Sequence, residues 1–478
     1  MPDAPARRPH VVVVGGGLAG LATALDVLEE RPDTQVTVLE AGEELGGKLR
    51  LATVAGHRVD VGAEAMLAVR PEGTAFVERL GAGADLVTPA TTAARVYSRG
   101  ALHPLPTATL MGVPTDPSGA LGVLTADEVA RAADERPWPG GGVEGDVTVG
   151  EYVGARLGRA VVDRLVEPLL GGVYAGHADR LSLRATMPVL WDRARAGTSL
   201  LEPVPPRVDA DGSRRPPFAG LRGGLGRIPE LAAEALRSRG ALVRTRAVVR
   251  GLERSGEGWR LVVGSAADPV AVGADAVVLA LPPAPASRLL RATAPAAASA
   301  LGEVATASMA VVTLAVRRSG TPALPGSGFL VPPVEGRAVK GSTFSAAKWA
   351  WVDELSPDVL YLRASIGRAG DEAVLQRDDA DLVTLAVAEV GDLLGTPLGP
   401  VVDHHVQRWG GALPQYAVGH VDRVTAVRAD VARLPGLEVA GAAYDGVGVP
   451  AVLASAHRAA AGVTDHLTRT TPVPGESR

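Results

Sequence analysis

Gly15, Gly17 and Gly20, followed twenty residues on by Glu40, have the types and spacing to hold a pyrophosphate-linked ligand. Gly15 allows a tight turn, Gly17 lets backbone approach a pyrophosphate, and Gly20 lets a helix pack closely on a strand. Glu40 can accept hydrogen bonds from a ribose diol. The elements that must position these residues are legible beside them. His10–Val14 is a short β-branched run that predicts a strand. Leu21–Glu29 predicts a helix, and Gln35–Leu39 a second strand ending at Glu40. The N-terminus of that helix offers unpaired N–H groups and a partial positive charge. Together these features predict a dinucleotide-binding βαβ unit, with Gly15, Gly16, Gly17, Leu18, Ala19, Gly20, Glu40 and Ala41 as its contacts.

The rest of the composition narrows the chemistry. A chain of 478 residues is too long for one compact core, so two or three lobes are expected. A net charge of −5 argues against a nucleic-acid partner. The absence of cysteine excludes disulfides, thiolate metal sites and redox thiols. Redox chemistry must therefore come from a bound cofactor. Met1–Pro9 is short and polar, and the apolar run after it breaks at Gly15, so no secretory leader is predicted. The longest uncharged apolar stretch, Val304–Val316, has 13 residues and predicts a buried strand rather than a membrane span. A cytoplasmic protein is expected, with peripheral membrane contact left open. His404 and His405 are neighbours on a predicted strand and point to opposite faces, so no metal site is expected.

Nucleotide-binding texture recurs in three separated stretches. Leu242–Val249, Trp259–Val263 and Ala276–Leu281 predict strands, with a hairpin turn at Ser255-Gly256-Glu257-Gly258. Leu437–Gly441 predicts a strand that enters Gly446-Val447-Gly448-Val449-Pro450 and a final helix to about Leu467. Residues 66–218 read as helical segments broken by Pro/Gly stretches, with 202–217 an exposed linker. Residues 283–434 predict helices, including one near 377–394, and strands near 308–317, 327–332, 340–345 and 359–365. The fold class expected is α/β. A discontinuous Rossmann-like domain comprises 1–65, 219–282 and 435–470, and an inserted α+β substrate domain with a helical subdomain comprises 66–218 and 283–434. A ligand crevice is expected between them.

Beyond the first fingerprint the chain reads Leu45-Gly46-Gly47-Lys48 and Asp60-Val61-Gly62-Ala63-Glu64. This resembles the extended FAD fingerprint of the monoamine-oxidase and protoporphyrinogen-oxidase superfamily. Further segments narrow the resemblance. Glu167–Gly176, Leu221–Pro229, Thr343–Trp349, Leu362–Glu372, Arg408–His420 and Ala440–Val449 are similar, in order, to segments of the oxygen-dependent porphyrinogen oxidases. The likeness is to their bacterial coproporphyrinogen III oxidase branch. It implies an amine-oxidase-like two-domain architecture and FAD as cofactor. It implies FAD contacts at Lys48, Gly62, Ala63, Glu64, Ala65, Val248, Trp409, Gly441, Val447, Gly448 and Val449. Two departures stand out: Gly62-Ala63-Glu64-Ala65-Met66 differs from the usual sequence there, and Ala442 stands where many relatives carry Asn.

The resemblance implies a six-electron oxidation of coproporphyrinogen III to coproporphyrin III. Dioxygen would be the acceptor, peroxide the by-product and haem biosynthesis the setting, with hand-over to a ferrochelatase. No catalytic side chain is obligatory, because the product is aromatic and the flavin N5 does the chemistry. The substrate carries four propionates, and arginine suits carboxylates. Arg70, Tyr174, Lys348 and Arg363 are the candidate substrate contacts. Protoporphyrinogen IX oxidation, another amine-oxidase or desaturase activity, and a non-catalytic binding protein on the same scaffold remain alternatives.

Overall fold

The computed structural model describes residues 7–203 and 216–470. Its nucleotide-binding end is a five-stranded parallel sheet, ordered Leu242–Arg244, Gln35–Leu39, His10–Val14, Ala276–Leu279 and Leu437–Val439. The strands come from three separated stretches of chain. Those at the centre are apolar on both faces because both faces are covered. On one face lie the first helix, Leu18–Glu30, and the last, Val449–Thr470, packed against each other. On the other lies a three-stranded antiparallel sheet of Val249–Ser255, Gly258–Gly264 and Pro269–Ala274, with Trp259 in the shared core.

A second sheet of seven strands carries the rest of the architecture. Its order is Val401–Pro414, Thr306–Arg317, Val359–Ile366, Val339–Thr343, Gly328–Leu330, Ala94–Ser98 and Ala101–Pro104. Helix Asp379–Leu394 packs on it, sharing a core with Ala310, Val312, Leu314, Leu362 and Ala364. A separate helical cluster is built from Val149–Leu157, Glu167–Tyr174 and Pro188–Ala196 around Tyr152 and Leu165. No helix among the described residues is long and apolar enough to cross a membrane.

Several expectations need correction. Residues 94–104, read as part of a helical region, form a hairpin at the edge of the seven-stranded sheet. Their partner strand, Gly328–Leu330, lies more than 200 residues away and pairs in parallel, so no local pattern announces it. The expected strand 242–249 stops at Arg244. Arg246 adopts φ +54°, which turns the chain into the next hairpin. The first helix begins at Leu18 rather than Leu21, because Gly17 already serves as its N-cap. Of the expected linker, residues 204–215 lie outside the described residues.

The first turn is closely packed. A Cβ on Gly20 would sit 1.9 Å from the Gly15 carbonyl oxygen. Gly20→Ala is therefore expected to cost about 1–3 kcal/mol in urea unfolding, the usual cost of overpacking. Gly119→Ala, where a Cβ meets nothing within 4 Å, is the control and is expected to change stability by less than about 0.5 kcal/mol.

Candidate functional site

The site begins at the glycine turn. Gly15 has φ +108° and a Cβ there would lie 2.3 Å from the Ala280 carbonyl oxygen, so only glycine fits. A Cβ on Gly17 would meet nothing within 4 Å. The helix behind it has no side-chain cap. An open space over uncapped helical N–H groups is the arrangement a pyrophosphate needs. The Glu40 carboxylate accepts from the Gly16 N–H and the Gly42 N–H, both at 2.7 Å. Each oxygen keeps a further lone pair for a ribose hydroxyl. Ala247 donates its N–H to the Glu40 carbonyl at 2.8 Å, which sets the exposed Val248 beside the same loop.

The second glycine pair locks onto the first. Gly46 donates its N–H to the Gly16 carbonyl at 2.8 Å, and a Cβ on Gly47 would lie 3.5 Å from Gly17 Cα. Lys48 follows. Its side chain reaches solvent yet is surrounded by protein on most sides, as on a crevice wall, and desolvation lowers its pKa. The Lys48 carbonyl accepts the Ala63 N–H at 3.0 Å, and a Cβ on Gly62 would strike it at 2.0 Å. Asp60 caps helix Arg227–Ser238, accepting the Leu225 and Gly226 N–H groups at 2.9 Å each. Burial pushes Asp60 up to about 7, against the pull of those two donors.

Glu64 ends this turn and does something its sequence position did not suggest. Its carboxylate accepts from Ser345 Oγ at 2.8 Å, Lys348 Nζ at 2.9 Å, Trp349 Nε1 at 3.2 Å and Arg363 at 3.0 Å. Arg363 also donates to the Gly62 carbonyl at 2.5 Å. Burial alone would raise Glu64; the Lys348 and Arg363 cations and the hydrogen bonds outweigh it and hold the group at about 2. The structure thus commits Lys348 and Arg363, expected as substrate contacts, to an internal carboxylate. Glu64, expected as a cofactor contact, has its side chain turned into this ion cluster.

The remaining expected contacts fall in two places. Tyr174 is buried against Tyr416, with ring centroids 5.4 Å apart, and Tyr416 stacks on His420 at 4.1 Å. Tyr416 donates to the Ala442 carbonyl, and His420 Nε2 bonds the Ala443 carbonyl at 3.0 Å. The Pro-Gln-Tyr and Gly-His segment therefore grips the backbone of the closing motif, and Ala442 serves through its carbonyl alone. Burial pushes Tyr174 up to about 12 and His420 down to about 4. Gly441 has φ +127° with open space where a Cβ would be. Val447, Gly448 and Val449 lead from there into the last helix. Arg70 is half-exposed and paired with Glu72 through Nε and one terminal nitrogen, leaving its other terminal nitrogen without a partner among the described residues.

Trp409 lies on the face of the seven-stranded sheet away from helix Asp379–Leu394. On that face Met309 pairs with Trp409, and Thr313 stands between His405 and Arg363 in register. The Arg50 guanidinium lies 5.9 Å from the Trp409 ring centroid. A cavity of ≈ 320 Å³ opens beside them, lined by Glu44, Arg50, Arg58, His405 and Gln407 among others. On this face Thr313 Oγ1, His405 Nε2 and Arg363 Nε are buried without a partner among the described residues. Unpaired buried polar atoms of this kind mark a surface that works with a ligand or ordered water. Lys340, which sequence reasoning missed, is 3% exposed on the neighbouring strand. Among the described residues its Nζ bonds only the Met309 sulfur, at 3.8 Å. A lysine in a short β-branched run reads as solvated, and no local signal said otherwise. His404 and His405 do fall on opposite faces, opposite Leu314 and Thr313 respectively.

A parallel sheet with an uncapped glycine turn, a ribose-spaced carboxylate and a second lobe carrying a polar sheet face define a two-lobed dinucleotide-dependent oxidoreductase. The chain belongs to the flavin-containing amine oxidoreductase family, whose profile matches residues 18–464. FAD is its cofactor. A coproporphyrinogen III oxidase of Mycobacterium leprae is 39% identical over 94% of this chain and 96% of its own length. A protoporphyrinogen oxidase of Macaca fascicularis is 29% identical over 95% of this chain and 98% of its own. The crystal structure of a protein from Exiguobacterium sp. 255-15, provisionally assigned as a protoporphyrinogen oxidase, superposes with a TM-score of 0.82. That pair shares 32% identity over 96% of this chain and 99% of the other.

Two outcomes follow from this geometry. Gly17→Ala places a methyl group in open space, so the apoprotein is expected to keep its melting temperature. FAD affinity, read by fluorescence titration, is expected to fall at least about tenfold as the methyl enters phosphate space. Glu64→Gln leaves two buried cations short of an anion and is expected to cost about 3–5 kcal/mol at pH 7. Glu64 is depressed in the folded state, from 4.5 to about 2, so its contribution is present above 4.5 and fades as pH falls through 2. The stability gap between wild type and Glu64→Gln in urea is expected to narrow by about 2 kcal/mol between pH 7 and pH 3.

Proposed function

We propose that this protein oxidises coproporphyrinogen III to coproporphyrin III, with dioxygen as acceptor and peroxide as by-product. The observation that carries the reading is the end-to-end likeness to the Mycobacterium leprae coproporphyrinogen III oxidase, at 39% identity over 94% of the chain. The site supports it. The polar sheet face and the half-exposed Arg70 suit a polyanionic ring. The closing motif argues against an amine oxidase: its one aromatic, Tyr444, is 6% exposed and packed in the core, so it offers no ring to cage an amine.

Bound FAD supplies the two-electron acceptor in each of three rounds. The protein's residues do the rest. Gly15, Gly16, Gly17, Leu18, Ala19, Gly20, Glu40, Ala41, Lys48 and Val248 hold the nucleotide end. Gly62, Ala63 and Ala65, fixed by the Glu64 cluster, and Gly441, Val447, Gly448 and Val449, fixed by Tyr416 and His420, bracket the other end, with Trp409 on the sheet side. Arg70 offers its free guanidinium nitrogen to a propionate, and Tyr174 closes the apolar wall. No side chain need act as base, because aromatisation drives the reaction and the protein's task is orientation and exclusion of water. We place the protein in the cytoplasm. Hand-over of product to a ferrochelatase and peripheral membrane contact fit that setting.

The test offers coproporphyrinogen III and protoporphyrinogen IX in parallel to FAD-loaded enzyme while porphyrin fluorescence is followed. Faster oxidation of the tetracarboxylate is expected; oxidation of protoporphyrinogen alone would overturn the substrate, and oxidation of neither would overturn the reading. Arg70→Ala is expected to raise KM for coproporphyrinogen about tenfold, the loss of one charge-assisted hydrogen bond, with kcat within about twofold.

A further inference from the structure

Two of the sequence segments, 167–176 and 367–372, meet inside the protein. Ala369 donates its N–H to the Ala175 carbonyl at 2.7 Å, and His177 Nε2 bonds the Ala369 carbonyl at 3.1 Å. Four ionisable side chains surround this seam. Lys340 enters from the sheet, buried, with the Met309 sulfur its nearest polar contact. Arg368 is buried, donates to the Val331 carbonyl at 2.8 Å and leaves Nε without an acceptor. The Val331 N–H in turn bonds the Lys340 carbonyl at 2.9 Å, so one residue joins Arg368 to the Lys340 backbone. Glu167 is buried, accepts the Ala178 N–H at 2.8 Å through one oxygen and leaves the other without a donor. His177 Nδ1 lies 3.8 Å from that open oxygen, and its side chain is 30% exposed.

Each buried polar atom left without a partner costs about 1–3 kcal/mol. Internal water is the usual remedy where several such atoms share a site. Here the groups neighbour one another in turn: Lys340 beside Arg368, Arg368 beside Glu167, and the open Glu167 oxygen 3.8 Å from the part-exposed His177. We propose that Lys340, Arg368, Glu167 and His177 line an internal water-filled path that carries protons between the Met309 face and solvent. The path rests on the oxidase reading, because oxidation sets protons free. In each round the substrate loses two electrons and two hydrogens, and three rounds together remove four bridge hydrogens and two pyrrole N–H hydrogens. One hydrogen leaves with both electrons into the bound FAD, and the other leaves as a proton. Dioxygen then takes those two electrons, that hydrogen and one proton to become peroxide. One proton therefore travels out and one travels in per round.

The groups along the path suit the task. Burial and the nearby Arg368 charge lower Lys340 to about 7, and burial raises Glu167 to about 7. Burial lowers Arg368 and His177 as well. The other charges facing them are Asp371 and Glu389 near Arg368, and Arg159, Asp179 and Arg180 near Glu167 and His177. Glu389 is held by the Ala338 and Val339 N–H groups.

Two measurements on the FAD-loaded enzyme test this. A high-resolution crystal structure is expected to show ordered waters bridging Lys340 Nζ, Arg368 Nε and the open Glu167 oxygen; a dry seam overturns the path. Anaerobic stopped-flow mixing with coproporphyrinogen III in weak buffer, with a pH-indicator dye, reads proton release beside flavin bleaching. Release is expected to keep pace with bleaching in wild type and to lag about tenfold in Glu167→Gln and Lys340→Met, with KM within about twofold. Proton release unaltered in both variants overturns the path. If wild type fails to oxidise any porphyrinogen, the oxidase reading falls and the crystal waters alone judge the path.

Discussion

The structure depends on one buried carboxylate. Glu64 stands at the end of the turn that follows Lys48, and it collects donors from Ser345, Lys348, Trp349 and Arg363. A lone buried carboxylate would cost several kcal/mol. Four donors, two of them cationic, turn that cost into a tie between the nucleotide-binding lobe and the seven-stranded sheet. Removing either side leaves the other charged and unpaired, so the two lobes hold their relative position or both lose stability.

The tie lies at the end of a series of close approaches. The glycine turn at 15–20 carries the turn at 46–47 through the Gly46–Gly16 hydrogen bond. Lys48 carries Ala63 through its carbonyl, and Asp60 anchors the helix behind. Elsewhere the stack of Tyr174, Tyr416 and His420 holds the closing motif by the Ala442 and Ala443 carbonyls. Residues that resemble cofactor or substrate contacts in sequence here bond to one another and to the backbone of the 62–65 turn. Glu64, Lys348 and Arg363 are joined in one ion cluster, and Arg363 ties it to the Gly62 carbonyl.

This explains what the sequence revealed and what it hid. The βαβ opening was legible to the residue at both strands, because β-branched runs, glycine spacing and the terminal acid are local signals. The buried strand at 304–316 was legible from its uncharged length, and it forms as Thr306–Arg317. The hairpin at 94–104 was hidden, since its partner lies at 328–330. The role of Glu64 was hidden for the same reason: its donors lie 281 to 299 positions away. Lys340 was invisible because burial, not type or spacing, makes a lysine unusual. Chemistry written in one segment can be read from sequence; chemistry assembled across the fold needs the fold.

The central claim is that Glu64 holds Lys348 and Arg363 as structural cations behind the 62–65 turn. A crystal structure with FAD and coproporphyrin III bound tests it most directly. The account predicts Glu64 still bonded to both cations, FAD against the 62–65 turn, and a propionate at Arg70. A propionate bound to Lys348 or Arg363, with Glu64 released, would contradict it.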